Sequence, residues 1–244
     1  MTIPQVNTRE TRDFAREIKF LIDARRAPDV LEWARGTLAP DPSGEGPHGD
    51  EYATTSLYFE TPNFDVYRRR GSYGRAKYRV RRYGMTDFIF LERKFRSDRL
   101  LAKRRTTVPL EDLERLGEQV ADPAWAGYWF HRRVLTRGLR PLVQMCYERT
   151  ARLGTSSHGT IRFTLDRDLR VLPLPDRAFI PGTGLPLIPE HCILELKYRV
   201  ELPAVFRQLV EKFALSVQPV SKFRLGLGAL DYAPAFSPGE GSHG

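Results

Sequence analysis

The 244-residue sequence predicts an α+β fold, an antiparallel β tunnel barrel with a charged lumen, flanked by several helices. Three observations predict it. Eight segments alternate large apolar or β-branched residues with polar ones at period two. Their polar positions concentrate Arg, Lys and Glu instead of the Thr, Ser and Gln usual on an exposed strand face. Three triplets, Glu17-Ile18-Lys19, Glu92-Arg93-Lys94 and Glu195-Leu196-Lys197, each place a carboxylate and an ammonium on one face of a strand, far apart in the chain.

The expected strands are 14–22, 52–59, 72–83, 87–95, 100–108, 141–153, 160–166 and 192–200. Helical spacing lies between them. Segment 28–38 opens with Pro28 and sets Val30, Leu31, Ala34 and Leu38 on one side, and 110–120 does the same with Leu110, Leu113, Leu116 and Val120. Segment 124–136 holds Trp125, Tyr128, Trp129 and Val134, and 203–213 holds Val205, Phe206, Leu209, Val210 and Phe213. Proline and glycine mark 40–49 and 172–189 as loops. Neither loop separates the charged strands into self-sufficient sets, so one domain is expected at 14–232, after an extension at 1–13 and before a frayed tail at 233–244.

Composition bounds the function. A 41% hydrophobic share supplies a core, and a net charge of +9 implies an anionic partner: nucleic acid, a phosphate compound or an acidic membrane. Cys146 and Cys192 form neither a metal motif nor a disulfide framework and are expected as buried thiols. The first residues lack the apolar run of a signal peptide, and no apolar stretch approaches the roughly 20 residues of a bilayer span, so a cytoplasmic protein with no membrane span is expected.

The faces narrow the choice. Lys77, Arg79 and Arg81 oppose Tyr78 and Val80; Phe88, Phe90, Glu92 and Lys94 oppose Ile89 and Leu91. Arg162, Thr164 and Asp166 oppose Ile161, Phe163 and Leu165, and Ile193, Glu195, Lys197 and Arg199 oppose Leu194, Leu196 and Tyr198. A solvated outer face explains any one of these strands. Closing the sheet instead gathers the charged faces in a lumen, with the apolar faces outside under the helices. Arginine forks and lysine point charges there suit phosphate oxygens. Carboxylates among them suit a hard divalent ion that bridges phosphates, although Glu17 and Glu92 equally suit pairing with neighbouring lysines. Phe88 and Phe90 could stack bases, but interleaved carboxylates oppose a nucleic-acid backbone, and no nucleic acid is expected.

Six motifs in order, Arg16-Glu17-Ile18-Lys19-Phe20, Ser56-Leu57-Tyr58-Phe59-Glu60-Thr61-Pro62, Lys77-Tyr78-Arg79-Val80-Arg81-Arg82-Tyr83-Gly84, Leu91-Glu92-Arg93-Lys94, Ile193-Leu194-Glu195-Leu196-Lys197-Tyr198 and Ser221-Lys222-Phe223, resemble the vacuolar transporter chaperone (VTC) domain. That domain is the polyphosphate polymerase branch of the triphosphate tunnel metalloenzymes (CYTH-like). The resemblance runs over about 14–230. It implies a metal-dependent transferase that moves the terminal phosphoryl group of ATP onto inorganic polyphosphate and releases ADP, with Mn²⁺ or Mg²⁺ as cofactor. A tunnel triphosphatase or a non-catalytic polyphosphate binder would share its residues. Carried over by position, Arg79, Arg81, Lys94 and Glu195 are the implied catalytic set. Lys19, Lys103, Tyr147, Arg149, Arg162, Lys197, Ser221 and Lys222 are implied to join Arg79, Arg81 and Lys94 on phosphates. Glu195 is the implied metal ligand, helped by Glu17 and Glu92, with Asp166 a weaker candidate. Ala15 stands where the wider superfamily has a first glutamate, which fits the polymerase branch; Glu60 replaces the usual Asp and Phe223 the usual Tyr.

Overall fold

The computed structural model describes residues 7–11, 16–73, 76–96, 101–174 and 176–232. Ala15, part of the extension and the expected tail at 233–244 lie outside the described residues.

Eleven strands form one antiparallel sheet. They are β1 (Asn7–Thr11), β2 (Arg16–Asp23), β3 (Ala39–Pro40), β4 (Glu51–Glu60), β5 (Ala76–Tyr83), β6 (Phe88–Arg96), β7 (Leu101–Pro109), β8 (Arg140–Ser156), β9 (Gly159–Pro173), β10 (Leu185–Pro186) and β11 (His191–Tyr198). The order is β1-β7-β6-β5-β4-β8-β9-β11-β2, with β10 on β9 and β3 on β8. The sheet curls into a tunnel: Lys94 on β6 reaches Glu17 on β2, near the far end of that order, at 3.0 Å. Long strands β8 and β9 run past the ends expected for them, and β1 pairs β7 inside the expected extension.

The helices are α1 (Ala27–Thr37), α2 (Asp65–Arg68), α3 (Tyr128–Arg137), α4 (Ala204–Lys212) and α5 (Lys222–Ala229). Two apolar layers cover the outside of the tunnel. Val30, Leu31 and Ala34 of α1 and Phe206 and Leu209 of α4 pack on Phe20, Phe163, Leu165, Leu194 and Leu196. Phe130 and Val134 of α3, with Leu113 and Leu116, cover Leu57, Phe59, Tyr78, Val80, Ile89 and Leu91. Strands β2, β4, β5, β6, β9 and β11 therefore bury apolar side chains outward, and burial of side chains this size stabilises by roughly 1.5–3 kcal/mol each.

Two local expectations are corrected. Segment 110–120 forms a 3-10 helix over Glu111–Gly117, not an α-helix. Its turns close three residues back, as in Leu113 N–H to Leu110 O at 3.1 Å, and Val120, placed on the apolar stripe, is 76% exposed. Of the two free thiols, Cys192 is buried but Cys146 is only half-buried. Helix α5 went unforeseen. It packs against the lumen side of the sheet, with Phe223 and Leu227 against Tyr58, Val143, Met145 and Val171, and Leu225 against Tyr147 and Ile193. The lumen is thereby plugged beside Lys77, which donates to Ser221 Oγ at 2.9 Å. Among the described residues no helix is long and apolar enough to cross a membrane.

Candidate functional site

Strand register brings the charged faces together. Lys19 stands opposite Glu195 and Glu17 opposite Lys197 across the β2–β11 pair. Arg79 stands opposite Glu92 on β5–β6, Glu92 opposite Arg105 and Lys94 opposite Lys103 on β6–β7, and Arg149 opposite Asp166 on β8–β9. Because side chains alternate, these point into the lumen while Ile18, Phe20, Tyr78, Val80, Leu91, Leu165, Leu194 and Leu196 beside them feed the apolar layers.

Three ionic groups result. In the first, Lys19 Nζ sits 3.2 Å from both Glu17 Oε1 and Glu195 Oε2. Lys197 lies 2.7 Å from Glu195 Oε1, and Lys94 holds Glu17 at 3.0 and 3.1 Å. Burial and the adjacent Glu195 charge push the Glu17 carboxyl up, but Lys94, Lys19 and Lys197 outweigh both and leave it below its usual range. Glu195 is held well below, because Lys197, Lys19 and Lys94 overcome its burial.

In the second group Glu92, 1% exposed, takes Arg79 Nε at 2.6 Å, Arg105 Nε at 2.6 Å and Lys103 Nζ at 2.7 Å. Its carboxyl lies well below the usual range, since these cations overcome its burial. Arg105 also donates to Tyr83 Oη at 2.8 Å and lies 4.1 Å from the Phe90 ring centroid. In the third, Arg149 grips Asp166 with two bonds of 2.6 and 2.8 Å and Lys222 adds a contact at 2.5 Å. Arg81 joins Ser56 Oγ at 3.0 Å to Tyr147 Oη at 2.9 Å nearby.

Basic side chains outnumber carboxylates throughout. The surplus shows in the neutral groups. Burial raises the Tyr83 phenol, but Arg81 and Arg105 reverse this and bring it down to about 6. Tyr58 behaves likewise under Arg79 and Arg81 and reaches about 7. Burial lowers Lys103 to about 7 despite Glu92, and burial with Lys19 and Lys94 lowers Lys77 to about 8. Lys94, Lys103 and Lys197 still expose 32%, 41% and 34% of their side chains, so the lumen is open to water and to solutes. A wet lumen short of negative charge has the chemistry to suit a multivalent anion.

The residues singled out from sequence are distributed as follows. Glu17, Lys19, Lys94, Glu195 and Lys197 share the first group; Arg79, Glu92 and Lys103 share the second; Arg149, Asp166 and Lys222 share the third, with Arg81 and Tyr147 beside it. Ser221 caps α5 and accepts from Lys77. Arg162 is turned to Tyr52 Oη at 3.0 Å and Asp41 at 2.6 Å. Arg105 and Lys77 were missed as site residues, although each lies two positions from a chosen one, which is the signal that would have found them. Glu60 accepts the backbone N–H groups of Thr61, Val66 and Tyr67, so it organises the β4–α2 turn.

The carboxylates do not form one cage. Glu17 and Glu195 share Lys19, while Glu92 is engaged by Arg79, Arg105 and Lys103, and no group of three metal-binding side chains occurs among the described residues. Two ionised carboxylates still suit Mg²⁺ or Mn²⁺, since such ions keep waters and complete their shell with substrate phosphates.

The VTC domain family model matches residues 14–230. No curated protein matches at a significant level. Among solved structures, a candidate adenylate cyclase from Bacillus halodurans is similar at 13% identity and TM-score 0.55, over 87% of this chain and 95% of that one. A Hippeastrum protein, a candidate adenylyl cyclase described as having a dominant triphosphatase activity, aligns at 14% identity and TM-score 0.44, over 87% of this chain and 95% of that one. The first likeness bears on the fold alone.

Proposed function

Because the chain belongs to the VTC domain family, we propose that its tunnel is a polyphosphate polymerase site that transfers the terminal phosphoryl group of ATP to a polyphosphate chain and releases ADP. The observation that carries this reading is the surplus of basic groups facing one wet lumen, with four carboxylates, Glu17, Glu92, Asp166 and Glu195, set among them.

Phosphoryl transfer spreads charge over equatorial oxygens and needs positioning and electrostatic stabilisation more than covalent help. Arg79, Arg81 and Lys94 clamp the triphosphate, with Lys19, Lys103, Arg149, Lys197 and Lys222 along its length. Glu92, Glu17, Glu195 and Asp166 hold these cations in place, except Arg81, which Ser56 and Tyr147 fix, so they need little reorganisation. Held by Glu195 and Glu17, a bound Mn²⁺ or Mg²⁺ would neutralise charge on phosphate oxygens. The terminal oxygen of the acceptor attacks the γ-phosphorus in line, the bond to the bridging oxygen breaks, and its electron pair leaves with ADP. A phosphate acceptor is already anionic near neutral pH, so no general base is required.

The test is a gel of products after incubation with ATP, Mn²⁺ and a short polyphosphate primer. Chain growth is expected, and Glu195→Gln should slow it by about 100-fold or more. Free phosphate without chain growth would instead identify a tunnel hydrolase. Wild-type protein inert with every divalent ion would leave a non-catalytic binder.

A further inference from the structure

The turn after β4 packs on the plug, with Val66 and Tyr67 against the layer of Phe223 and Leu227, and it carries three consecutive arginines that the lumen does not use. Arg68, Arg69 and Arg70 are all exposed, and no carboxylate or other acceptor takes their guanidinium groups among the described residues. Runs of exposed charge are ordinarily only solvated, but this one stands on a fixed turn. Glu60 accepts the N–H groups of Thr61, Val66 and Tyr67 at 2.7, 3.0 and 2.8 Å, and Asp65 accepts the Thr61 hydroxyl at 2.7 Å, so both acids of the segment are occupied within it. Arg69 has φ 56° and ψ 38°, the left-handed region that glycine enters at lower cost. Its N–H and that of Arg70 both bond Asp65 O, the latter at 2.9 Å. An arginine kept where the backbone favours glycine points to a use for its side chain.

Cations connect this ridge to the lumen. Lys77 donates to Ser221 Oγ at 2.9 Å, and the same oxygen accepts the Arg224 N–H at 3.4 Å. The Arg224 guanidinium lies 4.9 Å from the Tyr67 ring centroid and donates to Tyr67 O, the residue before Arg68. Burial lowers the Lys77 ammonium and the charges of Lys19, Lys94 and Arg224 add to it, while burial and then Arg69 lower Arg224. Each cation thus feels the next, from Lys94 inside to Arg69 outside.

We propose that Arg68, Arg69 and Arg70 form an outer binding ridge for polyphosphate, taking the stretch of a long chain that extends beyond the lumen by way of Lys77 and Arg224. The proposal rests on the polymerase reading for the identity of the polyanion. Exposed guanidinium forks suit phosphate oxygens two at a time. Other polyanions fit the turn less well. Phe64, Tyr67 and Tyr73 pack into the apolar layer, so they do not stand out to stack a base, and none of the exposed large apolar side chains among the described residues belongs to this turn to enter a bilayer. Tripolyphosphate is short enough to be satisfied inside, so the ridge concerns long chains alone.

The experiment measures binding of a polyphosphate of about 100 units, and of tripolyphosphate, across a salt series for the full chain and for Arg68→Gln/Arg69→Gly/Arg70→Gln. Loss of three phosphate contacts should weaken long-chain binding about 10-fold at low salt and flatten the slope of log affinity against log salt by about 2, with tripolyphosphate affinity unchanged. Unchanged long-chain affinity and slope overturn the proposal, as does an equal loss for tripolyphosphate. Arg69→Gly relieves the left-handed backbone, so the variant should melt no lower than wild type. Arg68→Gln/Arg70→Gln leaves that backbone alone and should flatten the slope by about 1.4; a slope equal to wild type refutes the ridge whatever the triple variant does. Arg68→Lys/Arg69→Lys/Arg70→Lys keeps the charges and should keep most of the slope, and a slope as flat as that of the neutral variant would also refute it. So would duplex DNA or phosphatidylserine vesicles that bind the ridge more tightly than polyphosphate. Failure of the polymerase reading looks different, as absent chain growth in wild-type protein whose long-chain binding still depends on Arg68, Arg69 and Arg70.

Discussion

Replacing Glu92 by Gln removes the carboxylate that binds Arg79, Arg105 and Lys103 while keeping the side-chain shape. Leaving buried charges without their partner costs about 3–5 kcal/mol. The cations here retain 19%, 21% and 41% side-chain exposure, so water in the lumen recovers part of that cost, and a net loss of about 2–4 kcal/mol is expected. At about 2–4 °C per kcal/mol for a chain of this size, the melting temperature should fall by roughly 5–15 °C in anion-free buffer. The same substitution increases the net positive charge of the lumen. Tripolyphosphate at 100 times its dissociation constant contributes about 2.7 kcal/mol and should return most of the loss. Thermal melts with and without tripolyphosphate read both effects. A Glu92→Gln protein as stable as wild type without anion would refute the view that this carboxylate holds the basic wall together.

Two further outcomes are expected. Tyr83, Tyr58, Lys103 and Lys77, lowered to about 6, 7, 7 and 8, are partly deprotonated in the empty lumen near neutral pH. A bound polyanion offsets the cations that lower the two tyrosines and adds negative charge beside the two lysines, which burial lowers, so all four pKa values rise and tripolyphosphate binding at pH 7–8 should take up protons. Calorimetry in buffers of differing ionisation enthalpy measures this, and a buffer-independent binding enthalpy would contradict it. Phe223, 2% exposed and 5.3 Å from the Tyr58 ring, anchors the plug; Phe223→Ala should cost about 3–5 kcal/mol, readable as a lowered denaturant midpoint, and an unchanged midpoint would show that α5 is not packed there.

Strand alternation made the wall legible in the sequence, because lumen and outer faces differ in chemistry as sharply as Arg79 and Val80. The triplets made the first ionic group legible as well, since i and i+2 fix the face and register only had to align Lys19 with Glu195. Helix α5 was hidden by its own composition. Gly226 and Gly228 lower helix propensity, yet a Cβ at Gly226 would stand 2.8 Å from Met145 Sδ, so close approach to the sheet requires the residue that obscures the helix. β1, Asn-Thr-Arg-Glu-Thr, has no apolar face to betray it; its place is set by pairing with β7. The division of carboxylates into separate groups was equally invisible, because it depends on which lysine or arginine lies across the lumen. Glu17 meets Lys94 from a strand with which it shares no ladder.

Pairing of β2 with β11 has a cost in time. Leu21 finds its partner only at Ile193, so at 5–20 residues per second a nascent chain carries an unmatched ribbon for roughly ten to thirty seconds. Bare ribbon edges invite other chains, and charged side chains, lysine above all, are the usual deterrent. Glu17 and Lys19, destined for the interior, can repel such visitors while the ribbon waits.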